Sequence, residues 1–400
     1  MQNRAEHKPA GEEPVTIVGA GPSGLACAII LARGGRKVEV REWKDSVGHR
    51  FHGDFQGLDN WSNSEDCLVE LAASGITPEF ERTPVHQTTA FDGKGKAHEI
   101  RSPRPLYYLL RRGSAPGSLD RGLLAQAEAE GVKVRFNDRV HRTHGPTILA
   151  AGPRRANVIA TGYLFETNHE NGSWFSIDQN LAPGGYAYLL VHQGRGTLAS
   201  CMYDNFDQQA NHVQLARTFF CEKLGLEMHN ERKFGGYGTW SLAQFPLQGG
   251  HPVIGEQAGF QDALAGFGLR YAMSSGILAA RCLLEGHDYA AAWRREILPR
   301  LKTGIANRLI FETMGPAAHS WALRGLAGGG NDPVNRLQRL YAPQGLTRLA
   351  YPFAAWRYRK SRQQRACSQV DCNCVWCRQQ CAIIPKVSTF ISQIDGTDTS

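Results

Sequence analysis

Val15-Thr16-Ile17-Val18-Gly19-Ala20-Gly21-Pro22-Ser23-Gly24-Leu25 decides the fold of this chain. A β-branched run predicts a short strand, three glycines at i, i+2 and i+5 follow, and an apolar stretch through Ala32 reads as a helix. Gly34-Gly35 ends that helix, and Val38-Glu39-Val40-Arg41-Glu42 reads as a second strand. Strand, glycine turn, helix and strand make a βαβ unit. In such a unit Gly19 permits the tight turn, Gly21 lets a phosphate approach the backbone, and Gly24 lets the helix pack against the strand. The first turn of the helix offers unpaired N–H groups and a positive dipole end, supported by Pro22 and Ser23. Glu42 stands 18 residues past Gly24, where a carboxylate accepts hydrogen bonds from ribose hydroxyls and disfavours a 2′-phosphate.

Around this unit, 400 residues are enough for two to three domains of about 150 each. The 42% hydrophobic content supports a sizeable core and excludes general disorder. The 44 glycines follow no three-residue period, which excludes collagen. No apolar run approaches the ~18 residues of a membrane span, and the polar opening MQNRAEHKPA has no signal-peptide core. The expectation is a cytoplasmic globular protein. Its net charge of +8 comes without any nucleic-acid recognition motif, so no nucleic-acid partner is expected. Part of the excess sits in Arg357, Arg359, Lys360, Arg362 and Arg365, near Tyr351, Phe353, Trp356 and Tyr358. A basic, aromatic segment of this kind suits either a packed surface helix or peripheral contact with a membrane.

Further strands are expected at Val132–Phe136 and Thr147–Ala150. Two more, Tyr186–Val191 and Thr197–Met202, form a hairpin about His192–Gly196. Helices are expected at Asp120–Glu130, His212–Lys223, Leu269–Leu284, Tyr289–Leu301 and near Val334–Tyr341.

Three more segments give the chain a family likeness: Val47-Gly48-His49-Arg50-Phe51; Ser118-Leu119-Asp120-Arg121 before Gly131-Val132-Lys133-Val134; and Val253-Ile254-Gly255-Glu256-Gln257-Ala258-Gly259 with Asp262 and Gly266-Phe267-Gly268-Leu269-Arg270. With these the sequence resembles the FAD-dependent oxidoreductases of the glutathione-reductase-like fold, and among them the geranylgeranyl reductase-like branch. The resemblance covers about residues 14 to 300. It implies an α/β fold: a Rossmann-like FAD-binding domain with an inserted β-sheet substrate domain and a helical C-terminal part. The FAD-binding domain takes 14–160 and 246–285, with 51–99 partly on the substrate side. The substrate domain takes 161–245 and the helical region 286–365, between a leader (1–13) and a tail (383–400). FAD would be held by Gly19, Gly21, Pro22, Ser23, Gly24, Glu42, Arg50, Arg112, Val140, Gly152, Gly255, Glu256, Gly266, Gly268 and Leu269. The helix N-terminus after Gly268 would face the flavin and stabilise negative charge on its reduced form.

The chain also departs from that pattern. Glu256 replaces the family's aspartate, and Ala263 replaces the proline after Asp262. His52-Gly53-Asp54 stands where the branch carries a cysteine element, and Ala150-Ala151-Gly152 lacks the acid typical of aromatic hydroxylases.

The reaction implied is reduction of a C=C bond in a small apolar, isoprenoid-like substrate, with NAD(P)H or a ferredoxin-like protein as electron donor. His52, Tyr237 and Trp240 are the expected catalytic or substrate-contacting residues, with His49 and His192 as further proton donors. Tyr163, Phe165, Trp174, Phe175 and Tyr203 suit either a pocket or a sheet core. A flavin monooxygenase is the alternative within enzymes, and a metal or electron carrier on a vestigial flavin fold is the alternative outside them. Five of the ten cysteines, Cys367, Cys372, Cys374, Cys377 and Cys381, crowd into fifteen residues. Thiolates at this spacing converge on a soft metal, zinc or an iron–sulfur cluster. The other five read as buried small hydrophobes.

Overall fold

The βαβ unit forms at the expected place because both of its strands alternate buried and half-buried residues and its helix is apolar on nearly every side. The computed structural model describes residues 13–153, 156–240, 246–328, 330 and 332–359. Its first half runs β1 (Val15–Val18), α1 (Pro22–Arg33), β2 (Val38–Arg41), β3 (Phe55–Asp59), α2 (Cys67–Ala73), β4 (Arg82–Val85), β5 (Gln87–Phe91) and β6 (Ala97–Arg101). Then come β7 (Tyr107–Arg111), α3 (Leu119–Ala129), β8 (Lys133–Arg135) and β9 (Thr147–Leu149). The second half adds β10 (Val158–Glu166), β11 (Gly172–Ser176), β12 (Tyr186–His192), β13 (Arg195–Met202), α4 (Gln209–Leu224) and β14 (His229–Gly238). Six helices follow among the described residues: α5 (Leu269–Glu285), α6 (Tyr289–Glu296), α7 (Leu298–Thr313), α8 (Pro316–Ala327), α9 (Pro333–Tyr341) and α10 (Gly345–Arg359).

The first layer is a parallel sheet in the order β8-β2-β1-β9. Helix α1 lies between this sheet and α5. A Cβ on Gly276 of α5 would stand 2.1 Å from the Ser23 carbonyl oxygen, so the two helices meet backbone to backbone. Val15, Ile17, Leu25, Ile29, Leu31 and Val40 are fully buried in the shared core, each worth about 1.5–3 kcal/mol of apolar burial. Trp293 of α6 closes the far side, stacked on Phe260 at 6.1 Å.

The second layer is a seven-stranded sheet, β14-β10-β13-β12-β11-β5-β6. The β12–β13 hairpin turns where the sequence places it, with Gln193 and Gly194 at positive φ. Strands β5 and β6 come from the segment before β7 and join through the parallel β5–β11 pair. Helix α4 covers one face, packing Ala216 and Phe220 on Ile159, Leu189 and Leu198. The opposite face meets α8 and α9 through Ile100, Leu190, Leu323, Val334 and Tyr341. A small antiparallel sheet, β3-β7-β4, sits between the layers.

One expected helix is two. The sequence pattern predicts a continuous helix over Tyr289–Leu301, but the chain breaks at Ile297 and restarts as α7, with Pro299 in its first turn. Proline lacks the N–H that would bond back one turn, and its ring clashes with the preceding turn.

Candidate functional site

A cavity of about 990 Å³ runs between the two layers, at the upper end of the about 300–1,000 Å³ of small-molecule sites. One end is the glycine turn. A Cβ on Gly19 would lie 2.2 Å from the Ala150 carbonyl oxygen, and one on Gly24 would lie 2.1 Å from the Gly19 carbonyl oxygen. These two glycines are dictated by contact with the chain itself. Gly21 differs, because a Cβ there would meet nothing within 4 Å. The space beside it is open and belongs to the cavity, which Ala20, Pro22 and Ser23 also line. Gly21 caps α1 without any side-chain hydrogen bond, so the first amides of the helix are left for a ligand. Glu42 points into the same end, accepting from the Ala20 N–H at 2.8 Å and the Lys44 N–H at 3.0 Å. A carboxylate has about four acceptor positions, so sugar hydroxyls can still donate to it. Ala150, Ala151 and Gly152 form the facing wall. These residues fit the pyrophosphate and ribose of an adenine dinucleotide: a bare cradle, a free helix end and a sugar-binding acid.

The middle of the cavity carries two arginines. Arg50 Nη2 donates to Glu256 Oε2 at 2.6 Å and Nη1 to the Tyr237 carbonyl at 3.3 Å, while the other Glu256 oxygen accepts the Thr239 N–H at 3.1 Å. Glu256, with its longer side chain, thus reaches Arg50. Arg112, expected on the cofactor, lines the cavity with its guanidinium committed elsewhere. Nε and Nη2 both bond Asp120 at 2.9 Å, Nη1 bonds Gln56 at 3.1 Å, and the cation lies 3.9 Å above the Phe51 ring. On the other side, Gly255 and Gly266 hold positive φ, and Gly268 opens α5 with no side-chain cap. Glu256, Gly266, Gly268 and Leu269 line the cavity there, with Gln261 and Phe267 beside them.

The far end is an apolar chamber. Trp61, Leu106, Tyr107, Phe175, Tyr186, Tyr188 and Phe267 form its walls, and Phe311, Met314, Leu323, Leu337 and Leu340 from α7–α9 form its roof. Tyr186 donates to the Ala265 carbonyl at 2.7 Å. The roof residues were missed in the sequence, because an apolar stripe on a helix reads identically whether it faces a core or a chamber.

The expected catalytic residues divide. Tyr237 lines the cavity beside Arg50, and burial raises its phenol pKa although Arg50 opposes the shift. His52 lines the cavity from an exposed position, and its backbone N–H donates to Asp54 Oδ1 at 3.0 Å. Trp240 does not line the cavity. It is buried edge-on against Tyr358 at 5.2 Å, because the strand that carries Tyr237 sends Trp240 under α10. Val140 is also absent from the lining, since the loop after β8 turns away after Asp138 pairs with Arg41. His49 lines the cavity and pairs with Asp45, whereas His192 bonds Thr83 outside it and is held below its ordinary pKa by burial. Trp174 and Phe175 line the cavity; Tyr163, Phe165 and Tyr203 belong to the sheet cores.

The loop that carries Gly266 is shaped by Asp262, which is buried and accepts from the Leu264 and Ala265 N–H groups and the Tyr341 hydroxyl. Burial outweighs those bonds and lifts its pKa to about 6. Between about pH 4 and pH 6 the folded chain holds a proton at Asp262 that the unfolded chain has released, so this carboxyl's contribution to stability falls as pH rises through that window. Asp262→Asn is expected to remove this component. The difference in thermal midpoint between wild type and variant should shift towards the variant from pH 4 to pH 6.5, by the equivalent of about 3 kcal/mol at most. A pH-independent difference would refute it.

Cys367, Cys372, Cys374, Cys377 and Cys381 lie outside the described residues. Among the described residues no cluster of side chains could hold a metal ion. Cys27, Cys67, Cys201 and Cys282 are buried free thiols, and burial pushes Cys201 up to about 12. No described helix is long and apolar enough to cross a membrane.

Comparison with known proteins agrees with this geometry. The NAD(P)-binding Rossmann-like domain family matches residues 17–83. The chain is 40% identical to a thiamine thiazole synthase of Pyrococcus horikoshii over 72 residues, which is 18% of this chain and 29% of that protein's length. Among solved structures it resembles a geranylgeranyl bacteriochlorophyll reductase-like protein of Thermoplasma acidophilum, with TM-score 0.53, 18% identity, and coverage of 87% of this chain and 97% of the other. It also resembles p-nitrophenol 4-monooxygenase of Pseudomonas putida, with TM-score 0.55, 14% identity, and coverage of 83% and 100%.

Proposed function

We propose, for a chain that carries the fold of the FAD-dependent oxidoreductases, that it binds FAD and reduces a C=C bond of an apolar, isoprenoid-like substrate. The observation that carries this reading is the continuity of one cavity, from the bare amides at Gly21 to the apolar chamber under α7–α9. Bound reduced FAD supplies a hydride, and NAD(P)H or a ferredoxin-like protein would reload it. The chain's own residues do the rest. Glu42 and the α1 terminus orient the adenosine end, the Arg50–Glu256 pair borders the middle, and the aromatic walls exclude water from the reacting carbon. The Tyr237 phenol, which lines the cavity beside Arg50 and is kept protonated by burial, is the proton donor assigned to this reaction.

Tyr237→Phe is expected to retain flavin and lower turnover about 100-fold, at the low end of general-acid contributions. Single-turnover reduction measured at fixed flavin occupancy checks this, and a change below threefold would remove Tyr237 from the mechanism. The wider test is an absorbance spectrum of anaerobically purified protein, followed by oxidation of the reduced flavin with polyprenyl substrates. Loss of one double bond per flavin oxidised, without oxygen, is the expected result. The aromatic chamber walls also suit a flat substrate and favour hydroxylation as the second reading. Stoichiometric oxygen uptake with a hydroxylated product would establish it instead. Metal analysis of the same sample reads whether Cys367, Cys372, Cys374, Cys377 and Cys381 hold zinc or an iron–sulfur cluster.

A further inference from the structure

Helix α10 has two apolar faces, and among the described residues only one is packed. Thr347 and Ala354 are buried and Tyr351 and Tyr358 half-buried on the side that meets the body of the protein. On the other side Leu346, Leu349, Phe353 and Trp356 are 72%, 74%, 70% and 77% exposed. At 100° per residue these four fall within an arc of about 80°. Four large apolar side chains on one helix face exceed what scattered surface hydrophobics explain.

The charge around this face is predominantly of one sign: Glu312, the acid that reaches it, is itself paired with Arg308 at 2.8 Å and with Arg357 at 3.7 Å. From Met314 to Arg359 the chain carries six arginines and a single acid, Asp332. Asp332 is spent internally, accepting from Arg104 at 2.7 Å and capping α9. Arg339 and Arg348 are exposed, and Arg357 flanks the apolar arc. A second copy of the same face would bring like charges together. An anionic lipid surface answers both properties, because leucines and aromatics sink to the acyl boundary while arginines remain at the phosphates. The chamber comes to the surface nearby. Leu340 lines it, is 44% exposed, and sits on the helix that leads into α10.

We propose that α10 docks on an anionic membrane, with Leu346, Leu349, Phe353 and Trp356 inserted in the headgroup region. This places the roof of the apolar chamber against the phase that dissolves apolar substrates. The docking needs no flavin, so its test is independent of the redox reading.

The experiment is co-sedimentation of the full chain with phosphatidylcholine vesicles, with and without about a third phosphatidylglycerol. Binding to the anionic vesicles and much weaker binding to the neutral ones is expected. Leu349→Asn/Phe353→Asn/Trp356→Asn should lower anionic binding at least tenfold with an unchanged thermal midpoint, since these side chains pack on little. Arg339→Gln and Arg348→Gln should each lower it about fivefold and leave neutral binding unaltered. Absence of binding to anionic vesicles overturns the proposal. So does unchanged binding by the triple variant, or conversion of a wild-type dimer to a monomer by that variant in the absence of vesicle binding.

Discussion

Gly21→Val is expected to give a folded, colourless protein. A Cβ added at this position meets no atom of the chain within 4 Å, and it opens onto the cavity rather than the core, so the fold should accept the branched side chain. It does occupy the space through which a pyrophosphate would reach the amides of α1. Loss of at least 100-fold in FAD affinity is expected, equivalent to about 3 kcal/mol, with an unchanged far-ultraviolet spectrum. Gly24→Val is the control of opposite kind. Its Cβ would lie 2.1 Å from a backbone oxygen that cannot yield, so helix α1 must leave the sheet and the protein should fail to fold. Flavin content and thermal midpoint of both variants check the pair. A Gly21→Val protein that keeps its flavin would remove the phosphate cradle from this end of the cavity.

Asp120→Ala should be the most destabilising loss of an ion pair at the site. Arg112 and Asp120 have side chains only 4% and 1% exposed, and the carboxylate also takes the Gly113 N–H at 3.0 Å. Removing it leaves a guanidinium buried with Gln56 and the Phe51 ring as its remaining partners. Breaking such a pair from one side costs about 3–5 kcal/mol. For a chain of this size the thermal midpoint should fall on the order of 10 °C. Arg112→Met/Asp120→Leu should recover most of the loss, since an apolar pair removes the stranded charge. If the single variant melts within 2–3 °C of wild type, the pair is not the anchor described here.

The parts of this architecture that were legible in the sequence are those written in backbone chemistry. The glycine turn, Glu42 at the end of β2, and the glycines before α5 announce themselves because few residue types satisfy a positive φ or a bare helix end. The hairpin of β12 and β13 was legible for the same reason. Strands β3 and β4 were not, because Phe-Gln-Gly-Leu-Asp and Arg-Thr-Pro-Val show little alternation and are fixed by pairing on β7. Trp240 lies off the cavity because it stands two residues past the end of β14, where strand spacing no longer says which way a side chain is turned or what covers it. The chamber roof was invisible because α7, α8 and α9 owe their inward residues to packing across the molecule. The Arg50–Glu256 contact joins residues 206 apart, which no local pattern encodes.

The parallel pairing of β5 with β11 bears on how the chain is made. Thr89 must wait for Trp174, 85 residues later, before that sheet edge closes. During synthesis the β5–β6 ribbon therefore leaves the ribosome with one side unpartnered, an open template for stray association. Truncated chains that stop before β11 should accumulate as aggregates, and the late, non-local closure should make refolding slow compared with helical proteins of equal length.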